Sequence, residues 1–435
     1  MNVVELFTGI GSQAKALSRI ANRMNIEVNI LKTCEWNIHA ILAYHFIHNG
    51  SSLPTDIQVL DKNQVLEKLN KFPLSADGKI RINPSSLKFY NEDLLKNIYH
   101  AIIANNNLVD ITETKGHDIP NETHLLTYSF PCQDLSNVGS FHGYKNGIDR
   151  DKNTRSGLLW EVERILEEKV LNNQPLPRYL LLENVTALEA KRHEGNFQQW
   201  KEKLEKLGYI NKVYRLNSED FTIPQYRKRL IMLSVYVGDD NSLKDAINNY
   251  WIQHDLENRE YLKTLNLVKQ KLDVFLRRDY SNSVYLQEAL EAQPNATNSR
   301  LKIWELNSKI VNENDEVNNR VQTITTKQDR HPNSGNLYFD PKNGKSKYRF
   351  LTPRECFILM GFDEKDYEIL LENNFYTRKN SKFFSRDVLY KLAGNSIVVN
   401  VLEAVFEQMV EIDKLYLSKS ILVYSSIKDE EHKFI

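Results

Sequence analysis

Two tripeptides supply a nucleophile and an acid at positions from which both could reach one ring. Pro131-Cys132-Gln133 and Glu183-Asn184-Val185 each follow an apolar, strand-like run. A thiol suits covalent catalysis because roughly a few per cent of it is ionised at neutral pH and it also departs readily. When a thiolate adds to an electron-poor ring carbon while a carboxylic acid hydrogen-bonds or protonates a ring nitrogen, the ring becomes an enamine and the adjacent carbon turns nucleophilic. Alone, a Cys among apolar residues is more often a packing residue. The assignment therefore depends on what accompanies it along the chain.

Such a pair works only if strands carry both groups to one edge of a sheet. Short apolar runs alternate with helical-period segments across the first half, the pattern of an α/β protein with a doubly wound, mostly parallel sheet. Residues 3–7 read as a strand, followed by a glycine turn and a helix through Ala14 and Leu17. Further strands are predicted at 29–34, 125–129, 179–182, 210–216 and 230–237, and helices at 38–46, 94–104, 157–171 and 197–207. Residues 50–87 are polar and irregular and read as a surface insertion. The stretch 140–153, rich in glycine and charge, reads as a mobile lid beside Cys132. From 238 to 348 the alternation stops and charged and amide residues dominate, so a separate, smaller, irregular domain is expected there. The predicted organisation is a catalytic and cofactor-binding domain at 1–237, the small domain at 238–348, a return segment at 349–413 that completes the catalytic domain, and a tail at 414–435 without an assignable role.

Gly9-x-Gly11-x-x-Ala14 follows the first strand, so the backbone can turn tightly and a ligand can approach its amides. Glu35, at the end of the second strand, suits the two hydroxyls of a ribose, and Trp36 beside it suits the face of an adenine. These features fit a dinucleotide as well as an adenosyl cofactor, and an NAD-dependent dehydrogenase stays open on this ground.

The order of the motifs narrows the choice. Phe7-Thr8-Gly9-Ile10-Gly11, Pro131-Cys132-Gln133, Glu183-Asn184-Val185, Gln225-Tyr226-Arg227-Lys228-Arg229 and Ala393-Gly394-Asn395-Ser396 follow one another, and together they resemble the DNA cytosine-5 methyltransferases of bacterial restriction-modification systems. Residues 125–136, LLTYSFPCQDLS, are particularly similar to mollicute-type enzymes of that family. The resemblance covers residues 2–237 and 350–409, and the segment between is not matched. It implies the S-adenosylmethionine-dependent methyltransferase fold, S-adenosyl-L-methionine as cofactor, and a small target recognition domain.

The resemblance also implies roles. Cys132 would add to carbon 6 of a cytosine while Glu183 acts at N3, and the cytosine would first leave the duplex at a cost of roughly a few kcal/mol. Arg227 and Arg229 alternate along an extended segment, and their guanidinium forks suit cytosine O2, the neighbouring phosphate and the carboxylate of Glu183. Phe7, Thr8, Gly9, Ile10 and Gly11 would form the cofactor loop, with Glu35 and Trp36 on the ribose and adenine. Asp110 would take the adenine amino group and Ile111 would pack on the ring; Asp93 is a rival, but Asp110 stands at the family's usual distance before the Cys. Pro131, Leu158, Asn395 and Ser396 would line the rest of the pocket, Pro131 and Asn184 also shaping the loops around the base. Gln133, Ser136 and Arg155 would face the DNA. In Val321-Gln322-Thr323-Ile324-Thr325, similar to the end of the family's target recognition domain, Thr323 would hold the backbone of the flipped nucleotide.

Composition sets outer limits. A chain of 435 residues with 41% hydrophobic content can bury a full α/β core and carry a second module. Cys34, Cys132 and Cys356 are too few and too scattered for a disulfide framework or a zinc cluster, which points to a reducing cytoplasm. Cys34 and Cys356 are expected in the core. The first predicted strand begins within the first three residues, leaving no room for a signal peptide, and no apolar run is expected to reach membrane-spanning length. The expectation is a soluble cytoplasmic monomer acting on double-stranded DNA, with a cognate restriction endonuclease as functional partner. Lys plus Arg and Asp plus Glu both number 57, so DNA attraction must come from segregated charge. The stretch 327–349, with Lys345 and Lys347 as phosphate-contact candidates, is basic enough, although a solvated loop fits it equally. Among alternatives, an RNA methyltransferase of the same fold lacks support because its family's Cys-Phe-Thr signature is absent, Cys356 being followed by Phe357 and Ile358. An inactive DNA-binding homologue is disfavoured by the presence of Cys132, Glu183, Arg227 and Arg229 together. A dehydrogenase would need a second acid-base set that the sequence does not offer.

Overall fold

A computed structural model of the chain describes residues 1–131, 135, 148, 156–378 and 381–417. Expectations placed on Cys132, Gln133, Ser136, Arg155, nearly all of the 140–153 stretch and most of the tail lie outside the described residues.

Six strands form the central sheet: β1 (Asn2–Leu6), β2 (Asn29–Cys34), β3 (Leu125–Tyr128), β4 (Tyr179–Val185), β5 (Tyr209–Asn217) and β6 (Lys228–Tyr236), in the order β2-β1-β3-β4-β6-β5. The first four pair in parallel, and β6 runs antiparallel to both β4 and β5. The sheet is thus mostly parallel, as expected. Its register matters for function. Leu6 is level with Cys34 and with Tyr128, and Tyr128 is level with Leu182, so β1, β2 and β3 end at one height while β4 runs on past them to Val185, with Glu183 just beyond that level. The strand order reverses between β1 and β3, where a doubly wound sheet leaves a crevice at those ends.

Both faces of the strands are covered, which explains their nearly unbroken apolar runs. On one side Val3 joins a core shared with the helices Ser12–Met24, Ile38–Asn49, Glu92–Ala104 and Val399–Tyr416. On the other, Val4 and Leu6 join a second core with the helices Leu159–Leu171 and Glu194–Lys206. The stretch 50–87 corrects the expectation of a surface insertion. It holds the short helices Thr55–Gln58, Lys62–Leu69 and Pro84–Leu87, and Ile57, Val65, Leu66, Leu69, Leu74 and Leu87 are buried. A capping box between Asp61 and Gln64 starts the second of these helices, and Val65, Leu66 and Leu69 then give it an apolar stripe turned into the core.

Residues 238–348 are built from short pieces: the helices Asn241–Gln253, Arg259–Thr264, Ser283–Glu291 and Asn298–Leu306, then a three-stranded sheet of β7 (Lys309–Val311), β8 (Asn336–Tyr338) and β9 (Tyr348–Arg349). The first helix buries Ile247, Tyr250 and Trp251 in the same core as Val399–Tyr416, and Tyr250 donates a hydrogen bond to Glu411. The chain then returns through the helices Pro353–Leu359, Glu364–Glu372, Arg386–Asn395 and Val399–Tyr416. Arg386–Tyr416 does reach the length and mean hydropathy of a membrane span, contrary to expectation, but 61% of its most apolar window is buried as a core element.

One buried ion pair holds the junction between the small sheet and the return segment. Arg349 and Glu355 are both fully buried and meet in a bidentate contact of 2.8 Å on each arm. Glu355 also accepts the amides of Thr352 and Arg277. Burial alone would raise the Glu355 carboxyl, but Arg349 and these donors bring it below its ordinary value. Removing one partner of such a pair strands the other charge. Arg349→Met should therefore cost about 3–5 kcal/mol in urea denaturation, and an unchanged midpoint would contradict a dry pair at this junction.

Candidate active site

A cavity of about 570 Å³ opens where β1 to β4 end. The loop after β1 enters it by an unusual backbone path. Phe7 and Gly9 both take positive φ, 58° and 56°, and the amides of Phe7 and Thr8 fold back onto the Cys34 carbonyl at 2.8 and 3.3 Å. A non-glycine residue in this region is strained, a condition that persists only where surrounding structure imposes it. Val109, β-branched and at φ 65°, does the same on the opposite wall.

Every cofactor candidate except Gly11 lines this cavity: Phe7, Thr8, Gly9 and Ile10 from the first loop, Glu35 and Trp36 beyond β2, Asp110 and Ile111, Pro131, Leu158, and Asn395 with Ser396. Gly11 has another reason to be glycine. Its φ is 82°, and a Cβ there would lie 2.2 Å from His48 Nε2. Asp93, the rival to Asp110, sits in the first turn of helix Glu92–Ala104 and is not part of the lining. Glu35 is held by two amides, Asn37 N–H on Oε1 at 2.8 Å and Gly9 N–H on Oε2 at 3.1 Å. Burial raises its carboxyl, and the amides of Asn37, Gly9 and Trp36, with Lys391, act against that. Asn37, Asp77, Lys79 and Lys391 also line the cavity and were not singled out in the sequence. The Asp77-Gly78 turn dipeptide was their one local signal.

The acid end of the cavity is set by antiparallel pairing. Val185 on β4 is opposite Arg229 on β6, so Glu183, two residues earlier on the same face, lies diagonal to Arg229. Arg229 Nε is 3.4 Å from Glu183 Oε1. Burial pushes the Glu183 carboxyl up, and the charges of Arg229 and Arg227 pull it partly back. Arg227 also lines the cavity but is itself buried, and it donates to the carbonyls of Ile324 at 2.8 Å, Gly394 at 3.1 Å and Ser396 at 2.7 Å. The two arginines thus have different work. Arg229 faces the acid, while Arg227 joins three segments around it.

Cys132 lies outside the described residues, but the chain leading to it is firmly anchored. Asn184 Nδ2 donates to Phe130 O at 3.1 Å and Ser156 Oγ to Pro131 O at 2.7 Å. Cys34 and Cys356 are buried, and burial raises both thiols above their ordinary value. Thr323 lies alongside the arginine motif, its Oγ1 donating to Tyr226 O at 2.7 Å, while Val321 pairs with Gln225. Lys345 and Lys347 are exposed and stand apart from the cavity lining.

An α/β sheet with a ligand-sized cavity at its carboxyl ends, lined by a glycine loop and a strand-end carboxylate and closed by an acid beside two arginines, has the form of a nucleotide-binding α/β enzyme. Among solved structures, that of Schizosaccharomyces pombe Dnmt2 methyltransferase shares the fold, with a TM-score of 0.54 and 19% identity over 94% of this chain and 98% of that one. The family model for C-5 cytosine-specific DNA methylases matches residues 86–411. The orphan methyltransferase M.SssI of Spiroplasma monobiae is 33% identical over 430 residues, covering 94% of this chain and 97% of that protein. The type II methyltransferase M2.ScrFI of Lactococcus lactis subsp. cremoris is 30% identical over 417 residues, covering 94% and 99%. The chain belongs to the C-5 cytosine-specific DNA methylase family and is a DNA (cytosine-5-)-methyltransferase. Alignments of this extent also run through the middle segment, correcting the expectation that it is unmatched.

The Glu183 environment gives a signed expectation. An acid that must carry its proton loses function as pH rises through its pKa, and Arg229 lowers that pKa. In Arg229→Met the alkaline limb of the kcat/KM profile should move to higher pH, since kcat/KM reports ionisations of the free enzyme. A limb that stays in place or moves down would contradict the electrostatic contact.

Proposed function

We propose that this enzyme transfers the methyl group of S-adenosyl-L-methionine to carbon 5 of a cytosine flipped out of a specific double-stranded DNA sequence, through a covalent Cys132 adduct at carbon 6. The observation that carries this reading is the opening of Glu183 and the Glu35–Trp36 end onto one cavity, with Pro131 at its wall. The donor set fits the cofactor: a half-buried carboxylate for ribose hydroxyls, an indole face, Asp110 for an amino group, and a volume within the usual range of small-ligand cavities. Glu35, Trp36, Asp110 and Ile111 would hold the adenosine, and the Gly9 loop with Asn395 and Ser396 the remainder. The bound cofactor supplies an electrophilic methyl group.

The residues divide the chemistry as follows. The Cys132 thiolate bonds to carbon 6 while Glu183, whose carboxyl burial shifts upward, donates toward N3. Electron density moves to carbon 5, which takes the methyl group. Loss of the carbon-5 proton to a base then expels the thiolate and restores the ring. Arg229 keeps the acid oriented, and Arg227 keeps the walls around the base together. Gln133, Ser136, Arg155 and Thr323 would position the DNA, Lys345 and Lys347 would contact phosphate, and residues 238–348 would read the sequence. We further propose that the protein acts as a cytoplasmic monomer and pairs functionally with a restriction endonuclease.

Covalency is testable directly. DNA carrying 5-fluorocytosine in its target cannot lose a proton from carbon 5, so the wild type should form a stable protein–DNA adduct, mapped by mass spectrometry to Cys132. Cys132→Ala should bind DNA without forming the adduct, whereas Cys34→Ala and Cys356→Ala should trap normally. An adduct retained by Cys132→Ala would overturn the assignment of the nucleophile.

A further inference from the structure

The segment that read as a surface insertion reaches the cofactor cavity. Ser75 docks onto the chain just past β2: its amide donates to Trp36 O at 2.8 Å and its carbonyl accepts Ile38 N–H at 2.8 Å. Ala76 O then takes Asn37 Nδ2 at 3.4 Å and pairs with His39 Nδ1 at 3.1 Å. The turn that follows is fixed by its own side chains. Asp77 accepts the amides of Lys79 and Ile80 at 2.8 and 3.1 Å, Ser75 Oγ accepts Gly78 N–H at 2.9 Å, and Gly78 takes φ 72°. Ala76, Asp77, Gly78 and Lys79 all line the cavity. At the far side of this strap Lys391 donates its ammonium to the Asp77 carbonyl. Lys391 also lines the cavity, acts electrostatically on Glu35, and lies one turn before Asn395 on helix Arg386–Asn395.

We propose that the strap Ser75–Lys79, latched by Lys391, is a third wall of the cofactor site, and that Lys391 is a positioning residue for the Glu35–Trp36 end of the pocket. The proposal rests on the cofactor reading above. The strap braces Trp36 and Asn37, and Asn37 supplies one of the two amides that hold the Glu35 carboxylate. Lys391 ties that assembly to the helix whose carboxyl end carries Asn395 and whose carbonyls at Gly394 and Ser396 are taken by Arg227. A cofactor seated against Glu35 would therefore touch a surface whose shape depends on a residue more than three hundred positions downstream.

Two measurements test this, both with S-adenosylhomocysteine as the probe. In hydrogen exchange on the wild type, the probe should protect the amides of the strap together with those of the Gly9 loop. Lys391→Met should weaken binding of the probe and raise KM for S-adenosylmethionine roughly ten- to a hundredfold, the range for one hydrogen bond to a charged group. It should leave kcat at saturating cofactor and KM for DNA near wild type, and Lys391→Arg should restore most of the affinity. Protection of the Gly9 loop without the strap, or wild-type affinity in Lys391→Met, would overturn the strap and leave the cofactor pocket standing. Failure of the probe to bind or protect either region would overturn the cofactor reading itself, and the strap with it.

Discussion

A guanidinium taken out of water must place its donors on fixed acceptors, and Arg227 finds them on three carbonyls far away in the chain. Ile324 lies 97 positions further on, Gly394 167 and Ser396 169. The start of β6, the extended stretch at 321–325 and the end of the return helix consequently meet at one point beside Glu183. Neighbouring contacts reinforce that meeting. Gln225 Nε2 donates to Leu359 O, and Gln225 Oε1 accepts the amide of Ile324. Gly394 is glycine because a Cβ there would lie 2.5 Å from the backbone of Thr325 and Thr326. A motif that reads in sequence as a base clamp is equally the knot that brings the 321–325 stretch and the return segment to the sheet.

The same knot sets the electrostatics of the acid. Burial pushes the Glu183 carboxyl above its ordinary value, and the two nearby guanidinium groups oppose that without cancelling it. A carboxyl shifted in this direction takes up a proton more readily than an exposed one. The acid's position follows from register, because three strands ending at one height and a fourth running just past them bring the Gly9 loop, Glu35, Pro131 and Glu183 around a single cavity. Helix Ser12–Met24 closes the arrangement from behind. Lys15 and Arg19 reach Asp363, Asp366 and Glu403 of the return segment, and Ser12 Oγ accepts the amide of Ile397.

Much of the sheet was legible because its inner strands β1, β3, β4 and β6 are buried on both faces and so read as short apolar runs between turn signals. β2 falls on the predicted residues 29–34, and β3 and β6 shift by one or two positions at their ends. The carboxyl ends of those strands carried the site for the same reason. What stayed hidden was what depends on distant partners. Residues 50–87 place few apolar side chains among many polar ones, and only the capping box at Asp61 followed by Val65, Leu66 and Leu69 marked a buried helix. The helices within 238–348 bury narrow stripes such as Ile247, Tyr250 and Trp251, which charged and amide neighbours mask. The carbonyl partners of Arg227 and the bond from Lys391 to the strap leave no trace in local sequence, since each joins residues that only the folded chain brings together.

Base-resolution methylation mapping of a plasmid carrying this gene, propagated in a host without cytosine methylation, bears most directly on the activity. The account predicts 5-methylcytosine at one cytosine of a recurring DNA word, complete in the plasmid and absent when Cys132 is replaced by Ala. Methylation confined to adenine or to the cytosine amino group would contradict it, as would full cytosine-5 methylation that survives loss of Cys132.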